Sequence, residues 1–206
     1  MQRHFMVLTP STMLPLGSGL PDFVLPVANG SGSTTLLDSS QLPRLPVLLM
    51  LLCSHCPFVK HIEGELTRID RDYSNDVSLL GIASNSWITH PQDGPESLLG
   101  QARRHGWRFP YLLDQEQSLA KALRAACTPE FYLFAPEDEG RQSLVYRGRL
   151  DASRPGSTNA VDGRELRAAL DAVLRGGMPD AAQEASIGCN IKWHPGQEPR
   201  WFGGTA

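Results

Sequence analysis

The sequence predicts an α/β protein with a central mixed β-sheet that is flanked by helices. Three observations support this fold class. Residues 47–52 are apolar without interruption, which is typical of a strand buried on both faces of a sheet. Strand-like and helix-like segments alternate from there to residue 126. Segments 131–134 and 144–149, joined by an acidic turn that contains glycine, then predict an antiparallel hairpin.

The predicted elements divide the chain into an extended lead-in (1–20), one domain (21–178) and a tail (179–206). The domain opens with an N-terminal β-hairpin, 22–26 and 34–38, around a glycine-rich turn at 29–32. Pro57 starts a helix that reaches about Asp72, because proline is tolerated in a first helical turn. The later elements are a strand at 77–83, a helix at 95–105, a short strand at 109–114, and helices at 118–126 and 163–175. The tail is rich in glycine and proline, and we expect it to pack on the domain without regular structure.

Composition argues against several classes of function. The net charge is −3 and the pI about 6.1, which gives no sign of a nucleic-acid or membrane partner. No apolar run approaches the roughly 20 residues of a membrane-spanning helix. The first ten residues lack the apolar core of a secretory signal, so we expect a cytoplasmic protein. There, thiols stay reduced and disulfides are transient and catalytic.

The chemistry of the chain centres on Cys53-Ser54-His55-Cys56, which lies between the buried strand and the helix that starts at Pro57. A helix N-terminus favours a thiolate, so we expect Cys53 to be the accessible, attacking thiolate and Cys56 to resolve the mixed disulfide. A Cys-x-x-Cys pair in a βαβ context predicts a redox-active dithiol. The alternative is that the two cysteines are small buried hydrophobic residues.

Four stretches resemble a bacterial branch of thioredoxin-like, peroxiredoxin-related proteins of the alkyl hydroperoxide reductase and thiol-specific antioxidant (AhpC/TSA) type. They are 52–61, 127–131, 146–151 with 153–156, and 186–193, and the likeness extends from Leu14 to Pro199. The resemblance implies a thioredoxin-like fold in which a cis peptide bond joins Thr128 to Pro129. It also implies that this loop faces the dithiol and holds the backbone of a substrate beside it.

The sequence departs from the better-known branches of this family. A histidine, His55, precedes the second cysteine, as in strongly oxidising disulfide-forming proteins, and would lower the pKa of Cys53. Its alternative role is that of an exposed spacer. Counting back from Cys53, Met50 stands where a peroxiredoxin-like pattern has a hydroxyl, so dithiol exchange is better supported than peroxide reduction. Arg147 or Arg149 could polarise a peroxide, or could simply be solvated or ion-paired.

Two further cysteines leave alternatives open. Cys127 and Cys189 are a candidate second redox pair, or Cys189 resolves an oxidised Cys53 or Cys56, or both are buried free thiols. A rival function is a zinc or copper(I) site, with ligands drawn from Cys53, His55, Cys56, His61 and Cys127. We predict a thiol–disulfide oxidoreductase that needs no dissociable cofactor. We expect its electrons to come from a thioredoxin- or glutaredoxin-type protein, and its substrate to be a disulfide or a peroxide.

Overall fold

The computed structural model describes residues 8–30 and 35–202, and it has the predicted α/β architecture. Its strands are β1 (Leu8–Pro10), β2 (Val24–Pro26), β3 (Leu36–Asp38), β4 (Val47–Leu51), β5 (Ser78–Ala83), β6 (Tyr111–Leu113), β7 (Cys127–Thr128), β8 (Glu130–Pro136), β9 (Gln142–Gly148) and β10 (Ile187–Asn190). Its helices of more than one turn are α1 (Pro57–Tyr73), α2 (Pro95–His105), α3 (Ser118–Ala122) and α4 (Arg164–Leu174).

The central sheet has five strands in the order β6-β5-β4-β8-β9. Strand β4 runs parallel to β5, and β5 runs parallel to β6. On its other side β4 pairs antiparallel with β8, which forms the predicted hairpin with β9. The mixed sheet predicted from the sequence is therefore confirmed.

Strand β4 is buried on both faces, as its unbroken apolar sequence predicts. No residue of β4 is more than 1% exposed. Because side chains alternate along a strand, Leu48 and Met50 contribute to one core and Val47, Leu49 and Leu51 to the other. The first core also contains apolar residues of α1, α2 and α4, and the second contains those of α3. Cys53 and Cys56 belong to the first core.

Most helix boundaries follow local signals in the sequence. Pro57 occupies the first turn of α1, and Gly106 ends α2 in a left-handed conformation with φ of +64°. The third helix ends at Ala122 rather than at 126, because Arg124 has a positive φ of 50° that a helix cannot continue through. None of the helices within residues 8–30 and 35–202 is long and apolar enough to cross a bilayer.

The N-terminal hairpin of β2 and β3 is confirmed, although part of its turn, 31–34, lies outside the described residues.

Strands near the two ends of the described chain form a small sheet of their own. The prediction of a tail without regular structure was wrong, because β10 forms there. Strand β10 lies between β1, from the lead-in, and β7 in a three-stranded antiparallel sheet. This arrangement places β10 directly beside the loop that contains Pro129.

Candidate active site

The backbone of the Cys53–Cys56 segment is fixed by the sheet and by two helices. The Leu52 N–H donates to the carbonyl of Ile82, 2.9 Å away, which continues the pairing of β4 with β5. The buried Gln101 side chain of α2 donates from Nε2 to the carbonyl oxygen of Cys53 at 3.2 Å. Cys56 is the N-cap residue of α1, and its carbonyl accepts the first helical hydrogen bond, 3.0 Å from the Lys60 nitrogen.

The loop before β8 faces this segment. The Thr128–Pro129 peptide bond is cis, as the family resemblance implies. The Thr128 hydroxyl oxygen lies 3.5 Å from the Cys53 sulfur, and the Thr128 carbonyl oxygen lies 3.4 Å from the Cys56 sulfur. The structure therefore brings together Cys53, Cys56, Thr128 and Pro129, all of which the sequence predicts as site residues.

A third sulfur completes the cluster. The Sγ atoms of Cys189 and Cys56 lie 2.8 Å apart. This contact arises because β10 pairs with β7 in a register that sets Cys189 opposite Thr128. An added Cβ on the preceding residue, Gly188, would lie only 2.1 Å from the Thr128 carbonyl oxygen, so the two strands approach closely at this point.

Cys127 does not join the cluster. It pairs with Asn190 and not with Cys189, so its side chain leaves the opposite face of the strand pair. Its sulfur lies 3.9 Å from both the Pro129 carbonyl oxygen and the Glu130 carboxylate. The structure therefore brings Cys189 to Cys56 and does not bring it to Cys127.

Neither sulfur of the dithiol is exposed, contrary to the expectation of an accessible attacking cysteine. Cys53 and Cys56 have relative exposures of 0%, and Cys189 has 5%. The two sulfurs contact the Thr128–Pro129 loop and β10 with Cys189, a strand in the segment that the sequence predicts as an irregular tail. Among these three cysteines, only Cys189 has measurable surface.

The charge distribution within the sulfur cluster is the reverse of the sequence-based expectation. Hydrogen bonds from the thiols of Cys189 and Cys53 lower the pKa of Cys56 well below its usual range, and the Val59 N–H in the first turn of α1 contributes in the same direction. Burial, the hydrogen bond to Cys56 and the negative charge of Asp93 raise the pKa of Cys53. The hydrogen bond to Cys56 and burial raise the pKa of Cys189. Cys56, the helix N-cap, is therefore the favoured thiolate.

Asp93 is a site residue that sequence reasoning missed. Its Oδ2 lies 2.6 Å from His55 Nδ1, at ion-pair distance, and accepts a 2.8 Å hydrogen bond from Asn85. Its Oδ1 accepts from the backbone N–H of Ser54 at 3.1 Å. Burial alone would raise the pKa of Asp93, but the donors from His55, Asn85 and Ser54 outweigh it and the pKa is lowered. The residue lies in a short 3-10 turn, Pro91–Asp93, just before α2, and no motif in the sequence marks it.

His55, Asp93 and Cys53 form a compact group of potential donors. One ligand atom from each lies within 4.8 Å of the others. The His55 side chain is 27% exposed, and its ring stacks on His90 with centroids 5.8 Å apart. His61 and Cys127, which the sequence suggested as further metal ligands, are not in this group.

The two arginines considered for binding a peroxide are engaged elsewhere. Arg147 donates from Nε to the Leu14 carbonyl at 3.0 Å and from Nη1 to the Gln183 side chain at 2.7 Å. Arg149 forms an ion pair with Glu165 at 2.8 Å. Arg149 therefore matches the alternative of an ion-paired arginine, whereas Arg147 is hydrogen-bonded to neutral groups.

Comparison with known proteins identifies the family. Residues 16–143, more than half of the chain, match the model of the AhpC/TSA family. The chain belongs to the AhpC/TSA family. An uncharacterized conserved protein from Geobacillus kaustophilus is 41% identical with a TM-score of 0.85, over 93% of this chain and 98% of that one. A hypothetical protein from Sinorhizobium meliloti is 39% identical with a TM-score of 0.83, over 91% of this chain and 100% of that one.

More distant structures share the fold of this AhpC/TSA family member. A secreted disulfide oxidoreductase from Mycobacterium tuberculosis is 16% identical with a TM-score of 0.51, over 70% of this chain and 92% of that one. A search of curated proteins finds no match. The predicted thioredoxin-like fold is confirmed.

Proposed function

We propose that this protein is a thiol–disulfide oxidoreductase that cycles Cys53 and Cys56 between dithiol and disulfide. The observation that carries the proposal is the placement of both sulfurs within 3.5 Å of Thr128, the residue before the cis-proline, at a strand-to-helix junction. The reaction balances as R–S–S–R′ plus two cysteine thiols giving RSH, R′SH and the Cys53–Cys56 disulfide. The substrate gains two electrons and two protons, and both come from the dithiol.

The two cysteines have different roles in this reaction. Cys56 is the thiolate, and it attacks a sulfur of the disulfide presented to it and expels a thiolate. Cys53 then attacks the Cys56 sulfur and releases the second thiolate. A sulfur with a lowered pKa is also the better leaving group, so the same feature makes the Cys53–Cys56 disulfide easy to reduce.

His55 and Asp93 account for the proton of Cys53. Because the pKa of Cys53 is raised, its thiol needs a base before it can attack. A ring nitrogen of His55 lies within 4.8 Å of the Cys53 sulfur and receives this proton, while Asp93 at 2.6 Å orients the ring. Thr128 and Pro129 position the partner through the backbone of their loop.

A disulfide is a better candidate substrate than a peroxide. Met50 supplies no hydroxyl to the site, and Arg147 and Arg149 are occupied by other partners. The oxidised pair would be returned to the dithiol by a thioredoxin- or glutaredoxin-type protein, as the reducing cytoplasm provides. We expect peroxide consumption, and hence an antioxidant role, to be the slower activity.

A single-turnover experiment tests the proposal. The reduced protein is mixed with glutathione disulfide or with hydrogen peroxide, and its disulfides are mapped by mass spectrometry. Wild type and Cys127→Ser, the matched buried-cysteine control, should form the Cys53–Cys56 disulfide, faster with glutathione disulfide. Cys53→Ser and Cys56→Ser cannot form it. Absence of a Cys53–Cys56 disulfide from both wild type and Cys127→Ser would refute the proposal.

A metal site is the second candidate, because Cys53, His55 and Asp93 offer a thiolate, an imidazole and a carboxylate within 4.8 Å. These donors suit zinc, and the neighbouring Cys56 would suit a softer ion such as copper(I). Protein purified without chelator should then carry about one equivalent of metal, and Asp93→Asn should carry less. If neither wild type nor Asp93→Asn contains metal, the redox function remains as the one candidate.

A further inference from the structure

We infer that Cys189 is a third redox-active cysteine, through which the buried dithiol exchanges its disulfide with a partner protein. The inference rests on the proposed function of Cys53 and Cys56 and assigns the sulfur that the partner meets. It follows from three observations: the contact between Cys189 and Cys56, the relative exposures of the three cysteine residues, and the strand that holds Cys189 in place.

The contact between the two sulfurs is too short for simple packing. The Sγ atoms of Cys56 and Cys189 are 2.8 Å apart, and a disulfide bond is about 2.05 Å long, so closing the bond needs an approach of less than about 1 Å. Cys127 offers a comparison on the neighbouring strand. Its buried sulfur lies 3.9 Å from the Pro129 carbonyl oxygen and from the Glu130 carboxylate, as in a packed structural thiol.

The three cysteines differ slightly in burial. Cys53 and Cys56 have no exposed area, whereas Cys189, also buried, retains 5% of its residue surface. Cys56 is the middle member, because it interacts with both Cys53 and Cys189. Cys56 can therefore form a disulfide with either Cys53 or Cys189.

The chain builds this arrangement with a dedicated strand. β10 is held on both sides, by β1 and by β7, and its register with β7 fixes Cys189 opposite Thr128. Gly188 allows the approach, because any larger residue would meet the Thr128 carbonyl. The segment that covers the dithiol is thus also the one that offers a sulfur to it.

The exchange steps balance without any further oxidant or reductant. The Cys189 thiolate attacks Cys56 in the Cys53–Cys56 disulfide, and Cys53 leaves and takes up the proton that Cys189 lost. A thiolate of the partner dithiol then attacks the Cys189 sulfur, and Cys56 leaves as its favoured thiolate. The partner's second thiol closes the partner's own disulfide and releases Cys189, so two electrons have passed from the partner to this protein. Oxidation by a substrate disulfide starts instead at the Cys56 thiolate, as proposed above.

Trapping the outer disulfide tests the inference. Reduced Cys53→Ser is treated with glutathione disulfide and mapped by mass spectrometry. We expect a Cys56–Cys189 disulfide in Cys53→Ser and in the Cys53→Ser/Cys127→Ser control. In Cys53→Ser/Cys189→Ser we expect only glutathione bound to Cys56. Glutathione retained on Cys56 of Cys53→Ser, with Cys189 free, would overturn the inference.

Reduction kinetics give a second readout and separate this inference from the proposed function. The Cys53–Cys56 disulfide of Cys189→Ser should be reduced by thioredoxin at least about tenfold more slowly than that of wild type, with an unchanged circular dichroism spectrum and melting temperature. An unchanged rate would overturn the relay through Cys189 and leave the dithiol function standing. Wild type that forms no Cys53–Cys56 disulfide at all would instead refute the proposed function.

Discussion

Gly188→Ala is the sharpest structural test of the sulfur cluster, because it changes no sulfur. A Cβ at this position would lie 2.1 Å from the Thr128 carbonyl oxygen and 2.8 Å from its carbonyl carbon. Both are backbone atoms and cannot rotate away. To bring the distance between this Cβ and the Thr128 oxygen to 3.0 Å, the shortest that real structures tolerate, β10 must move away from β7 by about 0.9 Å. A shift of this size carries Cys189 away from Cys56.

The expected effects follow from that displacement. Overpacking of a tight contact costs about 1–3 kcal/mol, and in a chain of this size each kcal/mol lowers the melting temperature by about 2–4 °C. We therefore expect a melting temperature lower by about 2–12 °C. We also expect the Cys56–Cys189 disulfide to form more slowly in Cys53→Ser/Gly188→Ala than in Cys53→Ser.

The control is Gly64→Ala, since an added Cβ on this residue of α1 meets nothing within 4 Å. Alanine is favoured over glycine inside a helix by about 0.5–1 kcal/mol, so this variant should be slightly more stable than wild type. Thermal melting and timed disulfide mapping measure both effects. If the Cys56–Cys189 disulfide forms as fast in Cys53→Ser/Gly188→Ala as in Cys53→Ser, β10 does not position Cys189.

Three other predictions concern charge and burial. Removal of the Asp93 carboxylate should lower the raised pKa of Cys53. Alkylation of Cys53 should therefore be faster in Cys56→Ser/Asp93→Asn than in Cys56→Ser. Equal rates would argue against this coupling. In Cys189→Ala, loss of the donor should raise the pKa of Cys56 toward the usual value of about 8.5, so its thiolate absorbance should disappear at a higher pH than in wild type. A titration that does not move would remove Cys189 as the main donor. The buried Asp114 carboxylate accepts hydrogen bonds from two backbone amides at the start of α3, at 3.1 and 2.8 Å. Asp114→Ala should therefore lower the free energy of unfolding by about 1–3 kcal/mol for each unsatisfied amide. A denaturant titration with an unchanged midpoint would contradict this.

The strand-to-helix junction could be predicted because its signals are local. The apolar run of β4, the Cys-x-x-Cys spacing and Pro57 all lie within 15 consecutive residues, and each has one dominant structural meaning. The cis bond before Pro129 was reached through family resemblance, since its sequence alone does not separate it from an ordinary trans proline.

The rest of the site depends on long-range contacts that sequence patterns do not record. Asp93 reaches the dithiol from a loop, and Cys189 reaches it from a four-residue strand in a segment rich in turn-forming residues. Strand β10 exists because β1 and β7 supply partners on both sides, and neither partner is visible from its own sequence. The expectation that Cys53 is the thiolate has the same origin, because the largest contribution to the lowered pKa of Cys56 comes from Cys189, a distant residue in the sequence.

The electrostatics of the cluster impose an order on the chemistry. Burial raises the pKa of Cys53, and the hydrogen bond to Cys56 and the negative charges of Asp93 and Cys56 raise it further. Cys53 therefore keeps its proton while Cys56 is charged. Once Cys56 enters a disulfide with Cys189, that charge is gone, the pKa of Cys53 falls, and His55 can take its proton. In the proposed cycle, Cys53 therefore becomes a nucleophile when there is a disulfide at Cys56 for it to attack.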